Sequence, residues 1–322
     1  MISALCLRDG VVTALDRAQI APAIARRTAD QCVWVHVQHW HQTGGDLGAL
    51  HLSLPPTVQR ALLAVETRPR CEPMDNGVLI NLRVEGADDA AANGDALVSV
   101  RLWAEQGFIL SVSLRPSAIV PKVEADFRAG HLRDPGDVII ALVASAAEEI
   151  DPIVAQLGDD LDELECDLGP NTPFAARRRV TQLRTRAISY RRFVNPQRMA
   201  LERLAQLPLG WMDDGERAAV REAADRFARM AEELESVRER AAVLHEELTD
   251  LRAERIDARS LQIAIVAMIF LPLTFLTGLL GMNVRGIPFA DAPWAFWGVT
   301  ALCLLIAIVV GGYFIIRRWS SG

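Results

Sequence analysis

The pattern of apolar and polar positions changes character twice along the chain. Up to about residue 115 it favours strands joined by tight turns. Ile2–Leu7 and Val11–Leu15 flank Asp9-Gly10, a strong hairpin signal. Val33, Val35 and Val37 alternate with Trp34, His36 and Gln38, which predicts a half-buried strand. Pro55 and Pro56 open a short helix reaching Leu63, proline being tolerated in a first turn. Strands near Arg70–Met74 and Val78–Val84 meet around Asn76-Gly77. Leu97–Trp103 and Phe108–Leu114 form a further hairpin around Glu105-Gln106-Gly107. A mixed sheet with a few helices, of α/β or α+β class, is expected.

From Ala118 the period becomes helical. Helices are predicted over Ala118–Ala129, Pro135–Asp167 and Pro173–Ala205, the last with a possible break at Pro196. Glu148–Asp167 is densely acidic. It reads either as a solvated helix face or as a means of concentrating cations. After Asp213-Asp214-Gly215, a helix start, an apolar seam advances in steps of three and four: Val220, Ala223, Phe227, Met230, Leu234, Val237, Ala241, Leu244, Leu248, Leu251. This is a coiled-coil type of repeat. It must pack on copies of itself or on the helices before it. Neither Pro nor Gly occurs between Gly215 and Pro272, so one helix should run from Glu216 to about Met282, roughly 100 Å at 1.5 Å per residue.

Two uncharged runs follow, Leu261–Asn283 and Trp294–Ile316. About 20 apolar residues suffice for a helix to cross a bilayer core, and the short loop between the runs makes the two helices antiparallel neighbours. Pro272, Thr274, Thr277 and Gly278 in the first run are tolerated where neighbouring helices, hydroxyls or water satisfy the opened backbone. That points to a helix among other helices or along a water path. Arg252, Arg255 and Arg259 precede the first run and Arg317 and Arg318 follow the second, while the loop holds only Arg285 and Asp291. Both termini are therefore expected in the cytoplasm and the loop outside. Trp294, Trp297 and Trp319 fall where interfacial aromatics belong.

Composition adds limits. The 322 residues leave room for one soluble domain plus a membrane part. A net charge of −7 argues against a nucleic-acid partner. Met1–Leu15 contains Arg8 and Asp9 and lacks the continuous apolar core of a cleavable signal. The five cysteines (Cys6, Cys32, Cys71, Cys166, Cys303) form no close pair, so reduced, isolated thiols are expected. There is no phosphate loop, hence no nucleotide-driven step, and no cofactor or enzymatic chemistry is expected.

Phe270-Leu-Pro-Leu-Thr-Phe-Leu-Thr-Gly-Leu-Leu-Gly-Met-Asn283 resembles the signature of the CorA family of divalent-cation transporters, whose first span ends in Gly-Met-Asn; Gly281, Met282 and Asn283 stand at that tripeptide. Val284-Arg-Gly-Ile-Pro288 resembles the zinc-transporting ZntB branch, whose usual form has Gly where Arg285 stands here. Ala61-Leu-Leu-Ala-Val-Glu-Thr-Arg-Pro-Arg70, Val98-Ser-Val-Arg-Leu-Trp103 and Arg191-Arg-Phe-Val-Asn-Pro-Gln197 are similar to the same branch, so the resemblance covers nearly the whole chain.

The resemblance implies a homopentameric funnel in the bacterial inner membrane. Residues 1–213 would be a cytoplasmic α/β domain with a helical second half, 214–260 a stalk helix and 261–283 the pore helix. Residues 284–293 would be a periplasmic loop, 294–316 the second span and 317–322 a cytoplasmic tail. By position it puts Asp257, Leu271, Thr274, Gly278 and Asn283 on the axis. Periodicity independently places Leu271, Thr274 and Gly278 on one face.

Asn283 is the leading selectivity residue, since a ring of amide oxygens can bind the waters of a hydrated cation; its plainer role is a helix C-cap. Thr274 lines the pore or satisfies the backbone opened by Pro272. Leu271 reads as a hydrophobic gate. Asp257 forms a carboxylate ring for a divalent ion or pairs with Arg255 or Arg259. His36, His39 and His41, with His51 nearby, read as strand and loop histidines without metal, because His36 points away from the other two. The expected cargo is Zn²⁺ first, with Cd²⁺, Ni²⁺ or Co²⁺ beside it. Its partners are copies of the chain, the ion and membrane lipid. Two rivals stand: a CorA-type Mg²⁺/Co²⁺ channel, and a membrane-anchored coiled-coil scaffold or sensor without a pore.

Overall fold

A computed structural model describes residues 2–28, 30–38, 50, 52, 54–64, 68–87, 97–166, 173–282, 287 and 292–320, with the backbone alone for 173–175 and 314–320. The chain divides into two compact units, Met1–His245 and Glu246–Gly322.

The first unit is built on a seven-stranded sheet of order β2-β1-β3-β7-β6-β5-β4. Its strands are β1 (Ile2–Arg8), β2 (Val11–Ala14), β3 (Cys32–Gln38), β4 (Arg70–Met74), β5 (Gly77–Glu85), β6 (Leu97–Glu105) and β7 (Phe108–Ser113). All neighbours are antiparallel except β3 and β7. The β1–β2 turn needs both Asp9 (φ 51°) and Gly10 (φ 76°) in the left-handed region, as Asp-Gly allows. At the β4–β5 turn it is Asp75 that takes positive φ (45°). Gly77 serves a different purpose, because a Cβ there would lie 2.6 Å from the Trp103 ring.

Helices cover both faces of the sheet. One face carries α1 (Arg17–Ala25) and α2 (Pro56–Leu63), whose Ile20, Val58 and Leu62 pack with Val33, Val35, Val37, Leu79 and Leu110. Against the other lie α3 (Ile119–Arg128), α4 (Pro135–Cys166) and α5 (Pro173–Gln206). Phe127 of α3 meets Trp34 edge-on at 5.7 Å between ring centres. Strand β3, expected to be half-buried, is buried from Cys32 to Val37, because central strands with helices on both sides have no wet face. Its His36 bonds to Ser111 Oγ at 2.8 Å, and that oxygen also accepts from Trp34 Nε1 at 2.9 Å. Burial pushes the imidazole down to about 4. α5 passes Pro196 without the expected break.

Helix α6 runs Asp214–Leu280 and includes Pro272. The apolar seam finds its partners inside the first unit. Val220, Phe227, Met230, Leu234, Val237 and Leu244 are 0–3 % exposed in the single chain. Flanking ion pairs identify the neighbours: Arg226 with Asp151 of α4 (3.4 Å), Arg240 with Asp162 and Glu165 of α4 (2.5 Å each), and Arg191 of α5 with Glu235 (2.8 Å). Leu251, the last seam residue, is 41 % exposed. The same pairs explain much of the acidic stretch on α4, with Arg179–Glu163 (3.0 Å) and Lys122–Glu148 (2.9 Å) added to them.

Two helix starts meet near the base of this layer. At α4, Asp134 Oδ1 accepts from Asp137 N (2.9 Å) and Asp137 Oδ2 from Arg133 N (2.8 Å). At α6, Asp213 Oδ1 accepts from Glu216 N (2.7 Å) and Glu216 Oε2 from Asp213 N (2.6 Å). Both are reciprocal capping boxes. Burial, then Asp134 beside it, pushes the Glu216 carboxyl up to about 8.

The second unit contains the C-terminal part of α6 and the helix α7 (Ala295–Ser320).

Candidate functional site

Both helices of the second unit are long and apolar enough to cross a membrane, with no part of either apolar window buried. Leu271 (72 % exposed), Phe275 (70 %), Phe296 (70 %) and Ile308 (69 %) would be costly in water. Exposed apolar surface of this extent fits a lipid bilayer or further protein chains.

One face of α6 in this unit is set against α7. Ile265, Ile269, Pro272, Leu273, Leu276 and Leu280 are its half-buried residues. A Cβ at Gly311 of α7 would lie 3.9 Å from Ile269 Cδ1. At 100° per residue these positions centre on one side of the helix, and Leu271, Thr274 and Gly278 centre about 180° away. All three are exposed in the single chain.

The same side carries Asp257, Ser260, Ala264 and Ala267, all exposed, so that one stripe steps in threes and fours from Asp257 to Gly278. Ser260, Ala264 and Ala267 were not singled out in the sequence. Their signal was present in the spacing, but small residues carry little weight in a search for chemistry.

The individual positions separate some of the alternatives. The Thr274 hydroxyl donates to the Phe270 carbonyl at 2.8 Å, whereas the carbonyl deprived of its donor by Pro272 is that of Met268. Thr274 therefore stabilises its own turn. Thr277 does likewise through the Leu273 carbonyl (2.9 Å). A Cβ at Gly278 would meet nothing within 4 Å, so packing within the chain does not require the glycine. At Gly281 it would lie 3.0 Å from the Thr277 carbonyl oxygen, whose bond from Gly281 N (2.9 Å) continues the helix to this point. Met282 is 47 % exposed beyond it. Asp257 is exposed and makes no ion pair among the described residues, with Arg255 or Arg259 included. Asn283, Arg285 and Asp291 lie outside the described residues, as do His39, His41 and His51. His36, the described member of the histidine group, is committed to Ser111 in the sheet. The five cysteines are free, with Cys303 on the half-buried side of α7.

Comparison with known proteins gives this arrangement a family. The model of the CorA-like Mg²⁺ transporter protein family matches residues 29–318. The zinc transport protein ZntB of Klebsiella pneumoniae is 32 % identical over 285 residues, which is 88 % of this chain and 85 % of that one. Among solved structures, full-length CmaX superposes with a TM-score of 0.80 at 28 % identity, covering 98 % of this chain and 96 % of its own. The CorA magnesium transporter of Methanocaldococcus jannaschii shares the fold, with a TM-score of 0.75 at 17 % identity over 99 % of this chain and 98 % of its own. A family match over nearly the whole length, with an α/β unit followed by a long helix and two apolar helices, leaves one assignment: the chain belongs to the CorA-like transporter family.

Proposed function

We propose that this protein carries divalent metal cations across the membrane, Zn²⁺ first, through a pore lined by α6 in a ring of five chains. The observation that carries the reading is the stripe Asp257–Gly278, turned away from α7 and left exposed by the chain itself. A helix packed on one side by its hairpin partner has its opposite side free to meet copies of itself around an axis. Relatives named as zinc transport proteins, at 32 % identity over most of the chain, supply the cargo.

In this reading residues 1–213 and the tail 317–322 are cytoplasmic, 214–260 form the stalk, 261–283 and 294–316 span the inner membrane, and 284–293 face the periplasm. Asp257 forms a carboxylate ring at the inner mouth, Leu271 an apolar constriction, and Thr274 and Gly278 the wall between that constriction and the outer mouth. Gly281, Met282 and Asn283 build the outer mouth, where amide oxygens hold the ion through its waters.

Purified protein in proteoliposomes, supplied with Zn²⁺ or Mg²⁺ under an imposed pH gradient, tests this. Zn²⁺ flux above Mg²⁺ flux is expected. The reverse order would favour a Mg²⁺ channel, and no flux of either ion would leave a membrane-anchored scaffold. Native mass spectrometry should give about 177 kDa, five chains of 35.4 kDa. A stable monomer or dimer would remove the pore.

A further inference from the structure

Away from the stripe, the two facing capping boxes place three carboxylates together. One oxygen from each of Asp134, Asp137 and Glu216 lies within 4.8 Å of the other two. Such clusters are often only helix caps, and the caps here account for Asp134 Oδ1, Asp137 Oδ2 and Glu216 Oε2. They do not account for Glu216 Oε1. Glu216 is 8 % exposed, and its Oε1 is buried with no hydrogen-bond partner. Burying an acceptor without a partner is costly.

The local sequence makes room for that oxygen. A Cβ at Gly136, in the first turn of α4, would overlap Glu216 Oε1. Gly in a helix costs about 0.5–1 kcal/mol relative to Ala, so the position trades helix stability for the approach of a carboxylate. No Arg, Lys or His pairs with any of the three acids among the described residues.

The charges decide what is missing. Three ionised carboxylates bring −3, and two helix N-termini offset roughly +0.5 each. About two negative charges remain, in a partly dry cleft between α4 and α6. Three oxygens with a maximum separation near 4.8 Å suit one ion with ligands at about 2.3–2.6 Å, the range for Ca²⁺. No nitrogen or sulfur ligand belongs to the group, so the donor set is unlike the one Zn²⁺ prefers.

We infer that Asp134, Asp137 and Glu216 form a binding site for a hard divalent cation of the Ca²⁺, Mg²⁺ or Mn²⁺ class, which ties the first turn of α6 to the first turn of α4. The site lies wholly within the first unit and differs in chemistry from the uncharged stripe of the second. It stands whether or not the chain conducts ions.

Mn²⁺ is the probe. The full-length protein in detergent is titrated with Mn²⁺, and bound metal per chain is counted by electron paramagnetic resonance for wild type, Glu216→Gln and Asp137→Asn. Glu216→Gln keeps an oxygen to accept from Asp213 N, so the α6 cap survives. Each variant should bind one Mn²⁺ per chain fewer than wild type and lose a Ca²⁺-dependent rise in melting temperature. Gly136→Ala retains all three acids but displaces Glu216 Oε1, and should lose the same ion. Sites on the stripe are common to all these proteins and cancel in the difference. Equal Mn²⁺ counts and equal Ca²⁺ shifts in wild type, Glu216→Gln and Asp137→Asn would overturn the site and leave two helix caps. If one variant does not fold, the other decides.

Discussion

Leu234→Ala separates two roles for the α6 seam, holding one chain together or holding copies together. Leu234 is 0 % exposed in the isolated chain, and pairs to α4 and α5 bracket it at Arg226, Glu235 and Arg240. α4 approaches so closely that a Cβ at Gly158 would lie 3.2 Å from Glu233 Oε1. Val154, Leu157 and Leu161 of α4 and Val180, Leu183 and Ala187 of α5 are buried in the same layer. A leucine truncated in such a layer loses its transfer energy and leaves a cavity, about 2–5 kcal/mol together. For a unit of this size each kcal/mol moves Tm by about 2–4 °C, so a loss of about 3 kcal/mol gives roughly 6–12 °C. Calorimetry of the full-length protein should show that drop at every protein concentration, with oligomeric mass unchanged below the transition. The reasoning fails if Tm stays within about 2 °C of wild type. It fails equally if the variant dissociates while its first unit remains folded, since the seam would then lie between chains.

Three further outcomes are expected. His36 is held near 4 by burial, so the unfolded state takes up a proton below about 6.5 that the folded state refuses. Stability is then full above pH 6.5 and falls as pH drops towards 4, by up to about 3 kcal/mol, and urea denaturation should show the slope vanish in His36→Gln. Gly278→Ala meets nothing in its own chain, so Tm should be unchanged while ion flux falls; unchanged flux would take Gly278 off the conduction path. Asn283→Ala should abolish or deregulate flux and Asn283→Asp should retain binding but slow release. Unaltered flux and ion preference in both, at equal oligomer yield, would exclude Asn283 from selectivity.

What could be read in advance followed how local the determining physics is. Asp9-Gly10 announces its hairpin because two adjacent positive φ angles admit few residues. Gly77 was legible as a turn signal for a different reason than the one that holds it, contact with Trp103 on the neighbouring strand. Helix α1 was missed: Arg17–Ala25 has little amphipathic contrast and contains Pro22. The half-buried reading of β3 counted alternation along one strand and had no means of knowing that α3 covers Trp34 and His36. The seam was legible as a packing surface, though not whether its partners belonged to the same chain. Leu271, Thr274 and Gly278 could be grouped by spacing alone, but their position opposite α7 required the hairpin. The cluster at Asp134, Asp137 and Glu216 joins two caps far apart in sequence, and no pattern along the chain points to it.

The chemistry of the stripe constrains how an ion crosses. Between Leu261 and Met282 no side chain titrates near neutral pH, and the nearest thiol, Cys303, lies on the half-buried side of α7. The Thr274 and Thr277 hydroxyls already donate to backbone carbonyls, so only their oxygen lone pairs face outward. A Zn²⁺ ion stripped of water would exchange a full hydration shell for a few weak oxygen donors, against its preference for nitrogen and sulfur. Loss of the shell is the larger cost, so the ion must travel at least partly hydrated. A wall that binds water weakly then favours passage over capture, and a ring of Leu271 would restrict the hydrated ion by size and dewetting. Any proton coupling must act outside the span, where Asp257 and His245 are the first titratable groups on α6, or travel along the water column. Asp257→Asn separates these routes. If Asp257 carries the coupling, the variant should lose the pH-gradient dependence of Zn²⁺ flux while ungraded flux persists. Retained dependence in Asp257→Asn and His245→Gln together would move the coupling into the water column.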